Sequence, residues 1–408
     1  MSFDKIARRL DDFRDEMIDL QIKLASIPAI APSSGGEGEA RKAEVLIEYL
    51  EGSGFRDIDV FKAPDLDAPA GYRPNLLAYF RGRSSAKTIW IMSHLDVVPE
   101  GELSLWRGNP FKPWVEGGKI FGRGVEDNQQ DMVASIFAVK AFQALGLQPN
   151  YNVGLAIVSD EETGSDKGIA YVLQHSQAFR PDDLILVPDA GNEDGSLIEV
   201  AEKSILWLKF KTLGKQTHGS MPEKGINAFK AASFFVAELN KLHDLFPIKD
   251  PLFDPPISTF EPTKKEANVP NINTIPGEDV FYMDSRILPR YAVSEVEARI
   301  REMADGIEKT FGVKISMEEK QRAEAAPPTP ARAAVVQALE RAVRQVYGVE
   351  GKPMGIGGGT VAAIFRRAGF EAACWSRLDE TAHQPNEYCI IDNMVGDAKV
   401  FAHIMLQD

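Results

Sequence analysis

Phe3, Ile6, Leu10, Phe13, Met17, Leu20 and Leu24 recur at spacings of three and four. That stripe predicts an amphipathic helix over residues 3 to 24, packed against the body of the protein. A loop rich in Pro, Ser and Gly follows at Pro32 to Gly38, and a second helix is expected around Lys42 to Leu50. The pattern then changes to short apolar runs alternating with helical segments. Thr88 to Met92, Asn152 to Val158 and Leu184 to Val187 read as buried strands, with helices over Gln130 to Leu145 and near Lys167 to Leu173 between them. Strand–helix alternation of this kind predicts an α/β layer with a mostly parallel sheet.

From about Leu197 the texture differs. Ser204 to Leu213 alternates as a half-buried strand, and Ile226 to Leu242 is a long amphipathic helix. Val269 to Ile275 and Asp279 to Leu288 read as two strands meeting at Pro276-Gly277, then a helix over Val293 to Phe311 and a strand at Val313 to Met317. Strand-helix-strand-strand-helix-strand is the order of a ferredoxin-like module. The stretch Pro327-Pro328-Thr329-Pro330 returns the chain to helices over Ala331 to Val346 and Thr360 to Arg367, a strand at Phe370 to Cys374 and a C-terminal helix.

Composition narrows the partners. The chain has 408 residues, room for two or three domains at ~150 residues each. Lys and Arg number 46 against 60 Asp and Glu, a net charge of −14. Such a surface repels phosphate backbones and anionic lipid, so neither nucleic acid nor a membrane is expected as a partner. Only Cys374 and Cys389 occur, both with apolar neighbours, so a reducing compartment fits better than a disulfide framework. The segment Met1-Ser2-Phe3-Asp4-Lys5 leads into charge rather than an apolar stretch, so no signal peptide and a cytoplasmic location are expected.

Candidate chemistry gathers where the three early strands stop. Ser93-His94-Leu95-Asp96 follows the first, Ser159-Asp160-Glu161-Glu162 the second and Pro188-Asp189 the third. In open α/β sheets the functional crevice lies beyond the carboxyl ends of the strands, so these groups are expected to converge. His94 and Asp96, two apart on an extended segment, share a side, which lets the carboxylate orient the imidazole. Glu161 and Glu162 are adjacent and point in different directions, which suits one to a metal and the other to protons. Taken singly, each has an ordinary explanation: Ser159 to Glu162 also fits a capping box, Asp127 could cap the helix after it, and Asp189 could be a turn residue. One further histidine, His383, sits in the polar, turn-rich run Thr381 to Glu387, while His175, His243 and His403 read as structural or solvated.

Together these runs resemble the co-catalytic zinc hydrolases, the family of acetylornithine deacetylase, succinyl-diaminopimelate desuccinylase, aminoacylase, glutamate carboxypeptidase and the cytosolic dipeptidases. The likeness runs through Ser93 to Pro99, Trp106, Pro110-Phe111, Gly122 to Asp127, Ser159 to Ser165, Val187 to Asp189 and His383 to Glu387, in the family's order. It implies two zinc ions per subunit, with cobalt or manganese as substitutes: His94 and Asp189 on one, Glu162 and His383 on the other, and Asp127 bridging. It further implies Glu161 as general acid/base and Asp96 as the residue orienting His94. The fold implied is a zinc-peptidase-type catalytic domain at 1–197 and 316–408, interrupted by a ferredoxin-like lid and dimerisation domain at 198–315. In that inserted domain His218 resembles the histidine that serves the partner subunit's site. Asn273 and Arg286 resemble the residues that hold the substrate carboxylate, and Gly359 and Thr360 those that touch the substrate backbone.

Two departures stand out. Many members carry an Asp shortly after the Gly-Thr pair, where this chain has Val361 and Ala362. The ligand after the third strand is Glu in most deacylases and Asp in many peptidases, so Asp189 leans towards peptides. The expectation is a homodimeric metal-dependent amidohydrolase cleaving the amide bond of a small N-acyl amino acid or a short peptide with a free carboxylate, with a dipeptidase or aminopeptidase rather than a deacylase as the alternative. Two other classes stay open: a catalytically silent metal- or peptide-binding dimer, and a nucleotide-binding protein using the Gly357 to Thr360 loop, which lacks P-loop spacing.

Overall fold

The computed structural model describes residues 3–55 and 57–408; Met1 and Ser2, on which the N-terminal reading partly rests, lie outside them. In chain order the main elements are α1 (Phe3–Asp12), α2 (Arg14–Ala25), α3 (Ala40–Gly52), β1 (Asp57–Pro64), β2 (Tyr72–Phe80) and β3 (Ser84–His94). Then come α4 (Gln130–Ala144), β4 (Tyr151–Val158), α5 (Ile169–His175), β5 (Leu184–Asn192), β6 (Leu197–Glu202) and β7 (Ser204–Leu213). They are followed by α6 (Ala228–Leu239), β8 (Thr259–Lys265), β9 (Glu278–Ile287), α7 (Val293–Phe311) and β10 (Lys314–Ala323). The last are α8 (Ala334–Tyr347), β11 (Lys352–Ile356), α9 (Ala362–Arg367), β12 (Ala372–Arg377) and α10 (Ile391–Met405).

The chain divides into two compact units: Met1–Val200 with Pro328–Pro353 and Thr360–Asp408, and Ala201–Pro327 with Met354–Gly359. The second unit runs beyond residue 315, the limit read from the sequence, because β10 continues to Ala323. Its later residues are charged and exposed, so no apolar alternation announces them.

The first unit is built on an eight-stranded sheet in the order β1-β2-β4-β3-β5-β12-β6-β11. Its centre, β4, β3, β5 and β12, is parallel, while β1, β2 and β6 pair antiparallel. Ile89 to Met92 are buried on both faces, which is why β3 reads as an unbroken apolar run. One face packs Trp90, Met92 and Val158 against α5 and α9 through Val172 and Phe365. Trp90 is fixed by its Nε1 donating to Asp183 Oδ2 at 3.0 Å. Gly154 on β4 lies directly beneath it, where a Cβ would come within 2.3 Å of the indole. On α4, Gln130 through Val139 are buried without exception, and Phe137 meets Phe13 edge-on at 5.4 Å.

Two strands of this unit are illegible in the pattern. β1 is an exposed edge, and β2 hides its apolar run behind buried Arg73 and Asn75 and behind Pro74. The N-terminal stripe is buried as expected at Ile6, Leu10, Phe13, Met17, Leu20 and Leu24, but two helices meeting at Phe13 carry it rather than one.

The second unit has a four-stranded antiparallel sheet in the order β8-β9-β7-β10, with α6 and α7 packed on it, which is ferredoxin-like topology. Phe210, Phe235 and Phe281 centre its core, Phe235 edge-on to Phe210 at 5.1 Å. One expectation is corrected here. The second strand is β8 at 259–265, not 269–275, where only Thr274–Ile275 pair, with Thr217–His218. β8 is an edge strand whose one buried residue is Phe260, and Pro262 sits at a break in its register, so it shows neither alternation nor apolar content. Among the described residues no helix is long and apolar enough to cross a membrane.

Candidate metal centre

The parallel strands deliver their carboxyl ends to one edge of the sheet. His94, the last residue of β3, is fully buried, and its backbone N–H is held by Asn128 Oδ1 at 3.0 Å. Its Nδ1 lies 3.0 Å from the Asp96 carbonyl oxygen, where it donates. Nε2 is thereby aimed between Asp127 Oδ1 at 2.9 Å and Asp189 Oδ1 at 3.5 Å. Asp127 presents its other oxygen to His383 Nε2 at 3.1 Å, and His383 also reaches Glu162 Oε2 at 3.1 Å. One carboxylate thus faces both imidazoles. Among the described residues, His94, Asp127 and Glu162, and likewise His94, Glu161 and Asp189, bring possible ligand atoms within 4.8 Å of one another.

Asp96 meets His94 chiefly through its main chain, since its carboxylate stands 3.6 Å from Nδ1. That carboxylate instead accepts from the backbone N–H groups of Glu161 and Glu162, both at 3.1 Å. It therefore holds the glutamate pair as much as the histidine. The capping alternatives are not realised: Glu161–Thr163 form a short turn with no side-chain cap, and Asp127 does not cap α4.

The Glu161–Glu162 turn is anchored from below by Asp160 and by Arg73, Glu39 and Asn75, which sequence reasoning missed. Asp160 adopts a left-handed backbone (φ 66°) and accepts from Lys167 N at 2.9 Å and Arg73 Nη1 at 3.2 Å. Arg73 is buried and paired with buried Glu39, and Asn75 Oδ1 accepts from Ser159 N at 3.0 Å. Isolated charged residues in a sequence look like surface, so only their burial reveals this support.

The electrostatics call for cations. Burial pushes the Glu161 carboxyl well above the usual range, and the Asp189 charge pushes it further. Burial likewise raises Glu162, and it lifts Asp189 to about 6 although His94 pulls the other way. Asp127 is held far below the carboxylate range: burial opposes this, but hydrogen bonds from His383 and His94 prevail. His383 is pushed up to about 10 by the Asp127 and Glu162 carboxylates. On His94 burial works against a charge, yet its carboxylate neighbours raise it well above the imidazole range. Protons on the imidazoles thus stand where divalent cations would satisfy the same carboxylates. Two imidazole nitrogens among hard carboxylate oxygens form a donor set suited to zinc.

The remaining candidates are placed as follows. In the second unit, His218 and Asn273 are neighbours through the Thr217–His218 and Thr274–Ile275 pairing, with Gly219 N donating to Asn273 O at 2.7 Å. His218 is exposed, its Nδ1 2.8 Å from Ser220 Oγ. Arg286 is engaged bidentately by Asp284 at 2.7 and 3.0 Å and donates to Gly357 O at 2.9 Å, in the loop that carries Gly359. In the first unit Thr360 Oγ1 accepts from Cys374 Sγ at 3.3 Å, and Val361 and Ala362 are buried core residues.

Residues 90–407 match Peptidase family M20/M25/M40. An uncharacterised metallohydrolase of Methanocaldococcus jannaschii is 40% identical over 410 residues, covering 97% of this chain and 100% of that protein. A succinyl-diaminopimelate desuccinylase of a Nitratiruptor species is 26% identical over 375 residues, covering 91% of this chain and 94% of the relative. Among solved structures, human carnosine dipeptidase 1 superposes with a TM-score of 0.78 at 19% identity, over 100% of this chain and 98% of that one.

Proposed function

Because the chain belongs to peptidase family M20/M25/M40 and is a metal-dependent hydrolase, we propose that it cleaves the amide bond of a small N-acyl amino acid or short peptide bearing a free carboxylate. The observation that carries this reading is the Asp127 carboxylate facing His94 and His383 at 2.9 and 3.1 Å, with Glu161 and Glu162 beside it. His94 and Asp189 would hold one cation and Glu162 and His383 the other, with Asp127 shared and zinc as the resident metal. Cations held there supply Lewis acidity, polarising the scissile carbonyl and acidifying water. Glu161, not needed as a ligand, takes the proton of the attacking water and returns it to the leaving nitrogen. Asp96 keeps Glu161 in place through the backbone N–H contact, and Arg286 is the residue we assign to the substrate carboxylate, with Asn273 beside His218 and Gly359 and Thr360 along the substrate backbone.

We assign the second unit to homodimerisation, with His218 serving the partner's site. β8 is an unpaired sheet edge, and beside it Phe229 and Lys264 line a groove of about 400 Å³. Two copies joined about a two-fold axis would pair such edges with themselves. Both cysteines are free and buried, which supports a reducing, cytoplasmic setting.

The test is a hydrolysis panel on zinc-reconstituted protein, with dipeptides set against N-acetyl and N-succinyl amino acids. Turnover of one class, lost on chelation and restored by metal, is expected. Asp189 favours the dipeptides. Metal uptake without turnover of any amide would leave a silent binding protein instead.

Acid should release the metal. Carboxylate neighbours raise His94 well above the imidazole range and His383 to about 10, which favours protons that cation uptake must displace. Affinity is then expected to fall by about tenfold per pH unit for each proton displaced. Below about 6, protonation of Asp189 adds to the loss. Competition titrations against a chelating indicator from pH 8 to 5, run beside initial rates, should show affinity and activity falling together. An affinity flat over that range would contradict the assignment.

A further inference from the structure

Asp127 and His383 lie far apart in the chain, and two loops bring them together: residues 123–127, leading into α4, and 379–387, leading towards α10. Each loop carries a buried glutamate aimed at the other loop's main chain. Glu126, 3% exposed, accepts from Asp379 N at 2.8 Å, from Thr381 N and from the Thr381 hydroxyl at 2.8 Å. Glu387, 1% exposed, accepts from Gly124 N and Glu126 N at 3.0 Å and from Asp127 N at 3.3 Å. The Arg123 guanidinium, 2.7 Å away, balances its charge. The exchange is reciprocal, and all four carboxylate oxygens are used.

The 379–387 loop needs such holding. Glu380, His383 and Asn386 have φ of 56°, 62° and 62°, a left-handed conformation that residues with a Cβ rarely adopt unless their surroundings impose it. His94 and Asp189 are different. They lie on β3 and β5, whose positions the sheet dictates. His383 has only its loop. Any slack there is passed to the 3.1 Å separation between Asp127 Oδ2 and His383 Nε2.

We propose that Glu126 and Glu387 are positioning residues of the metal centre, a reciprocal clasp that sets Asp127 against His383 and so shapes the cation site formed by Asp127, Glu162 and His383. The inference rests on the ligand assignment proposed above. Neither glutamate is placed as a ligand; each acts through the other loop's backbone N–H groups. Opening such a clasp weakens the His383 site more than the His94 site, which shares only Asp127, whereas losing a contribution to fold stability alone weakens both equally.

Metal titration of full-length wild type, Glu126→Gln, Glu387→Gln and the double variant separates the two. Each Gln amide turns a donor towards N–H groups that need an acceptor. The readouts are metal per chain after gel filtration and the visible spectrum of the Co(II)-loaded protein. Wild type is expected to take two ions. Each single variant should bind the ion of the Asp127, Glu162 and His383 site at least about tenfold more weakly and lose clearly less at the other site, which shares only Asp127, with a changed Co(II) spectrum. The double variant should be little worse than the weaker single, since one clasp is opened either way. Val139→Ala in buried α4 should lower the melting temperature and keep both ions. Two equally tight ions in both Gln variants, or parallel weakening of both sites, overturns the clasp. If a Gln variant does not fold, Thr381→Val, which removes one donor, must still show the selective loss in smaller measure; unchanged affinity there overturns it as well. Wild type taking up fewer than two ions would instead overturn the ligand assignment, and that is read before any variant is made.

Discussion

Glu161→Gln is expected to retain two metal ions per chain and to lose activity by about 10²- to 10⁴-fold, the scale of a removed general base. The substitution keeps the shape of the side chain and the backbone contact to Asp96, so the neighbouring ligands have no reason to move. It removes the one thing assigned to this carboxyl, an oxygen able to accept and return a proton. The environment suits that task. Burial, then the Asp189 charge, raise Glu161 well above an ordinary carboxyl, which favours its holding a proton. Metal analysis beside initial rates decides the matter. Glu161 also lies within reach of His94 and Asp189 as a possible ligand. Loss of an ion in the Gln variant would make it a ligand and move the proton-transfer role elsewhere.

Subunit mixing should recover activity from two inactive proteins. His218→Ala and Glu161→Ala are each expected to be nearly inactive as homodimers. His218 is exposed in the second unit, far in sequence from every ligand, and our reading places it in the partner's site. A mixed dimer then has one site with both defects and one with neither. Random exchange at equal amounts makes about half the dimers mixed, each with one good site of two, so activity should return to about one quarter of wild type. Exchange can be followed independently with differently tagged chains. If tagged chains exchange and no activity returns, His218 acts within its own chain or not at all.

How far the sequence reached follows from what each feature depends on. The central strands were legible because a strand buried on both faces is a continuous apolar run, and Ile89 to Met92 could be little else. The same run marked the candidate ligand His94, since it stops there at the end of β3. Edge strands were not legible. β1 and β8 bury almost nothing, so their residues carry no imprint of pairing, and in β8 Pro262 sits at an irregularity that tolerates it.

The candidates for the centre, His94, Asp96, Asp127, Glu161, Glu162, Asp189 and His383, were thus marked by the chain itself: metal and proton chemistry call for particular side chains, and their order along the strands survives in one dimension. How these groups are held was decided only in three dimensions. Asp96, Asp160, Glu126 and Glu387 all accept from main-chain N–H groups, which every residue except proline carries. No residue type at Thr381 or Gly124 announces that a distant carboxylate will be aimed at its backbone. That choice belongs to the way the loops close over the sheet.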